Sequence, residues 1–496
     1  MTALSNSYAR LPEHFFARLE PSPVAQPRLI RVNRLLAADL GLDLEGFDDD
    51  TLAGFFSGNR PLPGAEAIAT AYAGHQFGHF VPRLGDGRAH LLGEVRDRHG
   101  MRREIQLKGS GRTPFSRGGD GRAALGPVLR EYLLSESMHA LGVSTTRALA
   151  AVTSGEQVFR ETALPGAIVT RVAASHIRVG TFQYFAARED LEAIRRLADY
   201  VIDRLYPEAE TAERPYLALL HAVIGRQAAL VASWMQLGFI HGVMNTDNMA
   251  VSGETIDFGP CAFMDAYHPD TVFSSIDQNG RYAYSNQAPA AQWNLARFAE
   301  TLLPLIDPDS DKANELATEA VTSFSALFAR HWLRAMQRKL GLTGTGTDTD
   351  QAADQELVME LLQLMQLAEA DYTLTFRALC DAADAALPAD SDVGIRTLLQ
   401  GGNVDAWLGR WKARQANDAG QACDRASRMR QANPAFIPRN HRVQQVITAA
   451  VERDDLSMFA EMLGVLSRPY DDQAAHESYT LTPRPDERVL RTFCGT

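Results

Sequence analysis

The sequence predicts an α+β fold in two lobes, a β-rich N-terminal lobe followed by a helical C-terminal lobe. Strand-like runs bounded by turn residues dominate between residues 80 and 172, whereas helical periodicity dominates from about residue 190 onward. The length of 496 residues also exceeds the size at which a single hydrophobic core stops growing. We therefore place the two lobes at residues 1–188 and 189–496.

Turn residues divide the first lobe into its elements. After about 70 residues of short helical patterns broken by prolines, the chain shows strand, turn and strand between residues 80 and 110. Two further strands are predicted around Ala148–Val152 and Ala167–Val172. The turn signals are the dipeptides Asp86-Gly87 and His99-Gly100.

One prominent helix interrupts these strands. A glycine-rich segment precedes it, Pro127 suits its first turn, and Gly142 suits its end. In the second lobe we predict helices over residues 191–206, 214–238 and 291–306. The polar stretch 341–354 predicts an exposed loop.

Composition limits the classes of function. The net charge of −12 argues against general nucleic-acid binding. Between Arg83 and Arg188, however, 16 Lys and Arg face 9 Asp and Glu, a local charge of +7 that suits a polyphosphate ligand. No run of 18 apolar residues predicts a membrane span, and no apolar leader is present at the N-terminus. Four cysteines without zinc spacing suit a reducing, cytoplasmic setting.

The segment HGVMNTDNMAVSGETIDFG, residues 241–259, carries the strongest chemical signal. Protein kinases use an H-x-D-x-x-x-x-N loop for the base and one metal ligand, and a D-F-G for the other ligand. Here His241 and Asn248 keep the outer spacing and Asp257 begins a D-F-G, but Val243 stands where the base belongs. The nearest replacement is Asp247. The two-lobed fold is therefore predicted to be protein-kinase-like, with a metal ion held by the Asn and the D-F-G Asp.

The same segment predicts a local geometry. Its MAV, SGE and TID portions suggest a tight hairpin with Ser252-Gly253 at the turn. Such a hairpin would place Asn248 and Asp257 side by side.

A lysine and an acidic helix complete the kinase-like pattern. Lys108 ends a predicted strand, and a kinase pairs such a lysine with a glutamate on the next helix. That helix offers Glu131 and Glu136. Glu131 is preferred because it lies about one turn into the helix.

Glycine and arginine residues supply candidate phosphate contacts. Glycines let backbone N–H groups approach phosphate oxygens, and arginine adds a fork of donors. Two such loops are present, Gly85 to Arg88 and Gly118 to Arg122, and Arg171 and Arg178 follow. By contrast, the pair His75 and His79 has the spacing of a helical zinc site but lacks its glutamate, which favours a packing or hydrogen-bonding role.

With these residues in place, the chain resembles the selenoprotein O family, whose bacterial members are the YdiU-type proteins. The resemblance covers nearly the whole chain. Its strings include AYAGHQFGHFVPRLGDGRA, QLKGSGRTPFSRGGDGRAALGPVLREYLLSE, TRVAASHIRVGTFQYFA, HGVMNTDNMAVSGETIDFGPCAFMD and NPAFIPRNH.

The resemblance implies a pseudokinase that transfers AMP from ATP to hydroxyl side chains of proteins. It implies ATP bound in an orientation inverted relative to kinases, with Mg²⁺, and for some members UMP transfer from UTP with Mn²⁺. Asp247 would be the proton acceptor, and Asn248 and Asp257 would hold the metal. The residues implied to bind the nucleotide are Gly85, Gly87, Arg88, Lys108, Asp120, Gly121, Arg171, Arg178 and Asp257, with Glu131 as the partner of Lys108.

The resemblance also concerns the cysteines. Cys494 occupies the place of the family's selenocysteine, and Cys261, just after the D-F-G, is the candidate partner for it. Some relatives carry a cysteine further along that loop, where this chain reads VFSSID (272–277). We therefore expect a tail cysteine without redox control.

Two other functions remain open at this stage. One is a phosphate-transferring kinase in which Asp247 replaces the missing base. The other is a non-catalytic ATP-binding scaffold, against which the intact Lys108, Asn248 and Asp257 argue. The expected partners are ATP and protein substrates, with neither nucleic acid nor membrane.

Overall fold

The computed structural model describes residues 2–344, 347–384, 386–388, 391–400, 403–418 and 424–493. An antiparallel sheet organises the N-terminal part, and helices make up most of the remainder, which confirms the predicted α+β class. The described strands are, in chain order, β1 (Phe16–Arg18), β2 (Arg28–Val32), β3 (Ile68–Thr70), β4 (Gly74–Gln76), β5 (His79–Val81), β6 (Ala89–Arg96), β7 (Arg102–Lys108), β8 (Ala123–Ala124), β9 (Arg147–Phe159), β10 (Ala163–Ala173), β11 (Phe239–Ile240) and β12 (Ala262–Phe263).

In the part of the chain that the structure describes, the main sheet has eight strands. Its order is β1-β3-β6-β7-β10-β9-β2, and β8 pairs with β10. Strands β4 and β5 form a separate hairpin, and β11 and β12 form a separate two-stranded sheet. The register of β10 against β7 sets Val169 opposite Lys108 and Arg171 opposite Gln106.

Helices account for the rest of the described chain. They are α1 (Arg34–Asp39), α2 (Asp49–Ser57), α3 (Leu125–Ala140), α4 (Val179–Ala186), α5 (Leu191–Leu205), α6 (Pro215–Gln236), α7 (Gln287–Ile306), α8 (Ser310–Lys339), α9 (Asp348–Leu367), α10 (Tyr372–Ala382), α11 (Val393–Leu398), α12 (Val404–Ala416), α13 (Arg425–Ala432), α14 (Asn440–Arg453) and α15 (Ser457–Leu466).

The two faces of the sheet bury different helices, because successive side chains of a strand point to opposite faces. On β10, Ile168 packs into a core that includes Leu52 and Phe56 of α2. Its neighbours Ala167 and Val169 pack with Leu129 of α3. Helix α3 therefore covers the face from which Lys108 and Arg171 also project.

The helical part is built on α6, which packs against α7 and α8. Among the described residues, this is the one helix long and apolar enough to cross a membrane by length and composition. Side chains along it, such as Leu219, Val223 and Val231, are fully buried in the largest core of the protein. Its apolar character is thus accounted for by packing within the protein.

The C-terminal helices return to the first half of the chain. Phe459 of α15 and Val443 of α14 share a core with Leu129 of α3. Beyond them, the backbone of Thr492 pairs with the segment after the D-F-G: its N–H donates to the carbonyl of Phe273 at 2.7 Å. The C-terminal helices therefore contact the first half of the chain, and the described end of the tail contacts the segment after the D-F-G.

Two local predictions were wrong. The turn at Gly253 exists, with its N–H bonded to the carbonyl of Ala250, but the flanks do not pair with each other. Ala250 pairs with Arg178 and Thr255 with Thr145, because the first half of the chain offers these flanks open backbone partners. Residues 348–354 of the polar stretch begin α9 because Thr347 caps it.

The Asp86-Gly87 dipeptide, predicted as the turn between two strands, does not join two strands that pair with each other. Strand β5 pairs with β4, and β6 pairs with β3 and β7, so this dipeptide does not close a hairpin. The N–H of Asp86 donates to Thr70 instead, and the Asp86 carboxylate accepts from the Thr70 hydroxyl at 2.6 Å. A turn signal identified the bend but not the strands that it joins.

Candidate active site

A cavity of about 810 Å³ lies between the sheet, α3 and the segment that ends in the D-F-G. Its volume is within the range of small-molecule sites. The structure brings all the predicted site residues to its wall: Gly85, Gly87, Arg88, Lys108, Asp120, Gly121, Glu131, Arg171, Arg178, Asp247, Asn248 and Asp257. Their roles stay predictions.

A cluster of five charged side chains forms the floor of this cavity. Lys108 Nζ donates to Glu131 at 2.7 Å and to Asp257 Oδ1 at 2.6 Å. Arg171 donates to Glu131 Oε1 through Nε at 2.8 Å and to Asp257 Oδ1 at 2.7 Å. Arg178 donates to Asp257 Oδ2 at 3.1 Å. We call these five residues the charged floor.

Sheet geometry explains why the floor forms. Gln106 and Lys108 lie two residues apart on β7, and Val169 and Arg171 lie two apart on β10, so all four face the same side. Helix α3 covers that side and presents Glu131 to both cations. The predicted choice of Glu131 agrees with this contact.

Glu136, the alternative on α3, has different partners. Its carboxylate binds Arg147 at 2.7 and 2.8 Å and also accepts from Asn33 at 2.7 Å. It therefore fixes the start of β9 and does not line the cavity.

Charge complementarity governs ionisation in the floor. Burial alone would raise the pKa of Asp257, but Arg171, Lys108 and Arg178 hold it well below its usual value. Burial likewise opposes ionisation of Glu131, and Arg171 and Lys108 lower its pKa below the ordinary range. Both carboxylates are thus anionic, and three cations face two anions.

Arg178 connects the floor to the predicted catalytic loop. Its Nη1 donates to the carbonyl of Asp247 at 2.8 Å as well as to Asp257. Its guanidinium stacks 4.6 Å from the ring centre of Tyr72. One side chain therefore fixes the spacing between the two aspartates.

The catalytic loop itself is a single 3₁₀ turn, Thr246–Asn248. Asp247 is buried, and burial raises the pKa of its carboxyl to about 6. Gln76 donates to its Oδ2 at 3.2 Å, while its Oδ1 is buried with no hydrogen-bond partner among the described residues. The residue lies on the cavity wall, where a carboxylate can accept a proton from a bound group.

The two other loop residues singled out from the sequence behave differently. His241 is buried, its Nε2 donates to the carbonyl of Ile256 at 2.9 Å, and burial lowers its pKa. The histidine thus positions backbone near Asp257. Val243 lines the cavity, and its side chain has no acid–base chemistry.

The fit of a metal ion can be judged from the oxygen atoms present. Asn248 donates its amide nitrogen to the carbonyl of Val243 at 3.1 Å, which leaves its amide oxygen for a ligand. With Asp257 this gives two oxygen ligands, the set that suits Mg²⁺ when phosphate and water complete its shell. Among the described residues no cluster of three or more His, Cys, Asp or Glu offers a self-sufficient metal cage.

The glycine loops pack on one another as well as on the cavity. A Cβ at Gly85, where φ is 77°, would collide with the ring of Phe115. A Cβ at Gly87 would lie 2.8 Å from the Phe115 carbonyl, and one at Gly121 would collide with Gly111. Close contact between loops therefore accounts for these glycines, in addition to the predicted approach of phosphate.

Asp120 lies on the wall beside these glycines. Its carboxylate binds Arg160 at 2.8 and 3.2 Å and accepts from the N–H of Arg122 at 2.9 Å. Burial opposes its ionisation, and Arg160 lowers its pKa below the usual value.

Sequence reasoning missed several side chains of the wall. Arg112 and Arg117, like Arg88, line the cavity without an acidic partner within salt-bridge distance among the described residues. Their only signal was the local excess of basic residues. Tyr72 and Gln76 carried no signal of a role in the site.

His75 and His79 lie on strands β4 and β5, not on a helix. His75 Nδ1 accepts from Gln183 at 2.9 Å, which agrees with the predicted packing or hydrogen-bonding role.

The tail cysteine Cys494 lies outside the described residues. Cys261 is buried. The residue before it, Pro260, accepts a hydrogen bond at its carbonyl from the hydroxyl of Thr492 at 2.5 Å. The described end of the tail thus lies beside Cys261, and the absence of redox control stays a prediction.

Comparisons with known proteins show the family to which the chain belongs. A family model described as "Protein adenylyltransferase SelO" matches residues 2–467. The chain is 60% identical to "Protein nucleotidyltransferase YdiU" of Rhizobium meliloti over 499 residues, which cover 100% of both chains. It is 58% identical to the protein of the same name from Agrobacterium fabrum, again over 100% of both chains. The chain therefore belongs to the SelO family and is an enzyme of the transferase class.

Proposed function

We propose that this protein transfers AMP from ATP to Ser, Thr or Tyr hydroxyls of other proteins. The fold we propose is protein-kinase-like, with the nucleotide between a β-rich and a helical lobe. The observation that carries the proposal is the charged floor, in which Lys108, Arg171 and Arg178 converge at the base of the cavity. The names of the 60%-identical relatives support the same class of reaction.

The floor favours an orientation of the nucleotide. Burying a nucleobase among five charged side chains would leave their charges without solvent, which is unfavourable. A polyphosphate tail supplies anionic oxygens that three cations can pair with. We therefore place the tail on the floor and the nucleoside towards the part of the wall that carries Arg88 and Asp120. The α-phosphorus then lies between these two regions.

Asp247 supplies the proton chemistry in this proposal. The acceptor oxygen attacks the α-phosphorus, the bond from that phosphorus to the bridging oxygen breaks, and pyrophosphate leaves. The hydroxyl proton passes to the carboxylate of Asp247, which lies on the cavity wall. Gly85 and Gly87 keep the loop that contains Arg88 close to the cavity.

Asn248 and Asp257 would hold Mg²⁺, which neutralises charge on the phosphate oxygens when bound. UTP with Mn²⁺ is the alternative donor pair that the family resemblance implies. We also propose a cytoplasmic setting, where ATP and reduced cysteines are both available.

The position of the radiolabel tests the proposal. With Mg²⁺, the protein should label itself or an added protein from ATP labelled at the α-phosphate and not from ATP labelled at the γ-phosphate. UTP labelled at the α-phosphate, with Mn²⁺, measures the alternative donor in parallel. Asp247→Asn, which keeps the volume of the side chain, should lower transfer about 10²–10⁴-fold.

Two results would contradict the proposal. Label from the γ-phosphate alone would mean phosphate transfer, with Asp247 as the base of a kinase. Nucleotide binding without label from either position, for every acceptor protein tried, would mean a non-catalytic ATP-binding scaffold.

A further inference from the structure

We propose that Gln76 is a positioning residue for Asp247, donating its amide N–H to Oδ2 and so holding the carboxylate in one orientation on the cavity wall. The inference rests on the proposed function, because it assigns the base role to Asp247. The residue lies on the hairpin formed by β4 and β5, 171 positions before the aspartate in the chain. We call residues 74–81 the clamp hairpin.

The clamp hairpin contacts three consecutive residues, 245–247, at the 3₁₀ turn Thr246–Asn248, which we call the catalytic turn. The N–H of His75 donates to the Thr246 hydroxyl at 2.7 Å. The N–H of Phe77 donates to the side-chain oxygen of Asn245 at 3.0 Å. Between these two backbone contacts, the side chain of Gln76 reaches Asp247 at 3.2 Å.

Further hydrogen bonds hold the hairpin and turn in one arrangement. The Thr246 hydroxyl donates to Gln183 at 2.6 Å, and the amide nitrogen of Gln183 donates to His75 Nδ1 at 2.9 Å. These bonds link His75, Thr246 and Gln183 in a closed ring. Tyr282 donates to the same oxygen of Asn245 that Phe77 uses, at 2.9 Å. The backbone that carries Gln76 is thereby fixed relative to the turn.

Gln76 makes the two oxygens of Asp247 different. Oδ2 receives an amide N–H, whereas Oδ1 is buried without a hydrogen-bond partner among the described residues. Space is limited on the other side as well, since a Cβ at Gly74 would lie 2.5 Å from Oδ1. Rotation of the carboxylate would lose the amide bond, so the donor at position 76 selects one orientation.

Gln76→Met tests the inference, because methionine has a similar length and no N–H donor. We expect kcat for AMP transfer to fall roughly 10- to 100-fold, as for a misplaced catalytic group, with KM for ATP within about twofold of wild type. The matched control is His79→Ala. His79 is exposed, lies directly opposite Gln76 in the hairpin, and is not on the cavity wall. It should leave kcat unchanged.

A double-mutant cycle separates positioning from a purely structural role. In an Asp247→Ala background, Gln76→Met should cause no further loss, because the group that it orients is absent. An equal loss in both backgrounds would overturn the inference, as would a rise in KM with kcat preserved.

Two checks keep these outcomes distinct from other failures. If Gln76→Met shows no cooperative thermal unfolding, and so does not fold, Gln76→Asn is used in its place. Its shorter side chain stays polar but moves the amide donor away from Asp247. Full activity of that variant would also overturn the inference. If wild type itself transfers no AMP, the proposed function fails and not the role of Gln76.

Discussion

Asp257 is the acidic residue that pairs with all three cations of the charged floor. Its two oxygens accept from Lys108, Arg171 and Arg178, and its φ of 64° is a left-handed conformation that non-glycine residues rarely adopt. Such backbone strain is found where the surroundings over-determine a functional geometry. The D-F-G aspartate is therefore a structural counter-charge as well as a candidate metal ligand.

Asp257→Asn should reduce both transfer and stability. The change keeps the volume but removes the charge that three buried cations share, and breaking a buried ion pair typically costs about 3–5 kcal/mol. We expect transfer to fall at least about 100-fold and the free energy of unfolding to fall by about 3 kcal/mol, measured by denaturant titration. Glu192→Gln, which breaks an exposed pair with Arg196, should cost about 1 kcal/mol or less.

Wild-type stability in Asp257→Asn would mean that Glu131 alone balances the cations. The sequence pattern alone suggests that this position could be changed without cost to the fold. The three contacts of its carboxylate change that expectation.

At the scale of residues, motif spacing was sufficient for Lys108, Glu131 and Asp257, because kinase-like chemistry requires them together. It was not sufficient for Gln76 or Tyr72. Their partners lie more than 100 positions away, and a glutamine or tyrosine has no spacing rule that connects it to an aspartate. Only the fold brings the clamp hairpin onto the catalytic turn.

At the scale of elements, the glycine-rich segments form a packed pair of loops. Gly121 lies against Gly111, and Gly85 lies against Phe115. The N–H of Gly111 also donates to the carbonyl of Gly121 at 3.0 Å. Backbone-to-backbone contact of this kind leaves no room for side chains, so the shape of the cavity wall depends on these glycines.

Two glycines of the same loop provide a matched test. Gly121 and Gly118 both have positive φ, 70° and 83°, but a Cβ at Gly118 would have nothing within 4 Å. Gly118→Ala should therefore cost only the conformational strain, about 1 kcal/mol. Gly121→Ala adds a collision with Gly111, and we expect it to lower the melting temperature further and to raise KM for ATP.

Equal effects of Gly118→Ala and Gly121→Ala on melting temperature would contradict the packing explanation. Conformation alone, and not contact between loops, would then account for both glycines.

Elements with strong periodicity were predicted well, as α3, α5 and α6 show. The errors arose where a short polar or apolar pattern has two solutions. The segment before Asp257 pairs with Thr145 and Arg178 because their backbone groups are available there. The polar stretch begins α9 because a threonine cap outweighs its composition. A local sequence pattern cannot decide between two such structures, because the choice depends on the residues that the segment contacts in the fold.

At the scale of the whole molecule, the C-terminal helices α14 and α15 pack against α3 in the first half of the chain. Arg130 of α3 is buried and donates to backbone and amide oxygens. It donates to the carbonyls of Gly259 and Cys261, which follow the D-F-G, and to Asn440 Oδ1 of α14 at 3.3 Å. One side chain therefore connects α14 to the backbone beside Asp257.

This connection could not be predicted from the sequence. The order of strands and helices predicts two lobes, but the return of α14 and α15 to α3 joins residues 310 positions apart. Apolar periodicity shows that α15 must bury one face. It does not show which surface covers that face.

Asn440→Ala tests the connection, since it removes an acceptor from Arg130 without touching the cavity wall. A buried hydrogen-bonding group left unsatisfied costs about 1–3 kcal/mol, so the free energy of unfolding should fall by that amount. Transfer should also fall, because Arg130 then holds the carbonyls of Gly259 and Cys261 less firmly. Gln444→Ala, an exposed change on the same helix, should alter neither quantity. Loss of stability with full kcat in Asn440→Ala would mean that α14 supports the fold but not the site.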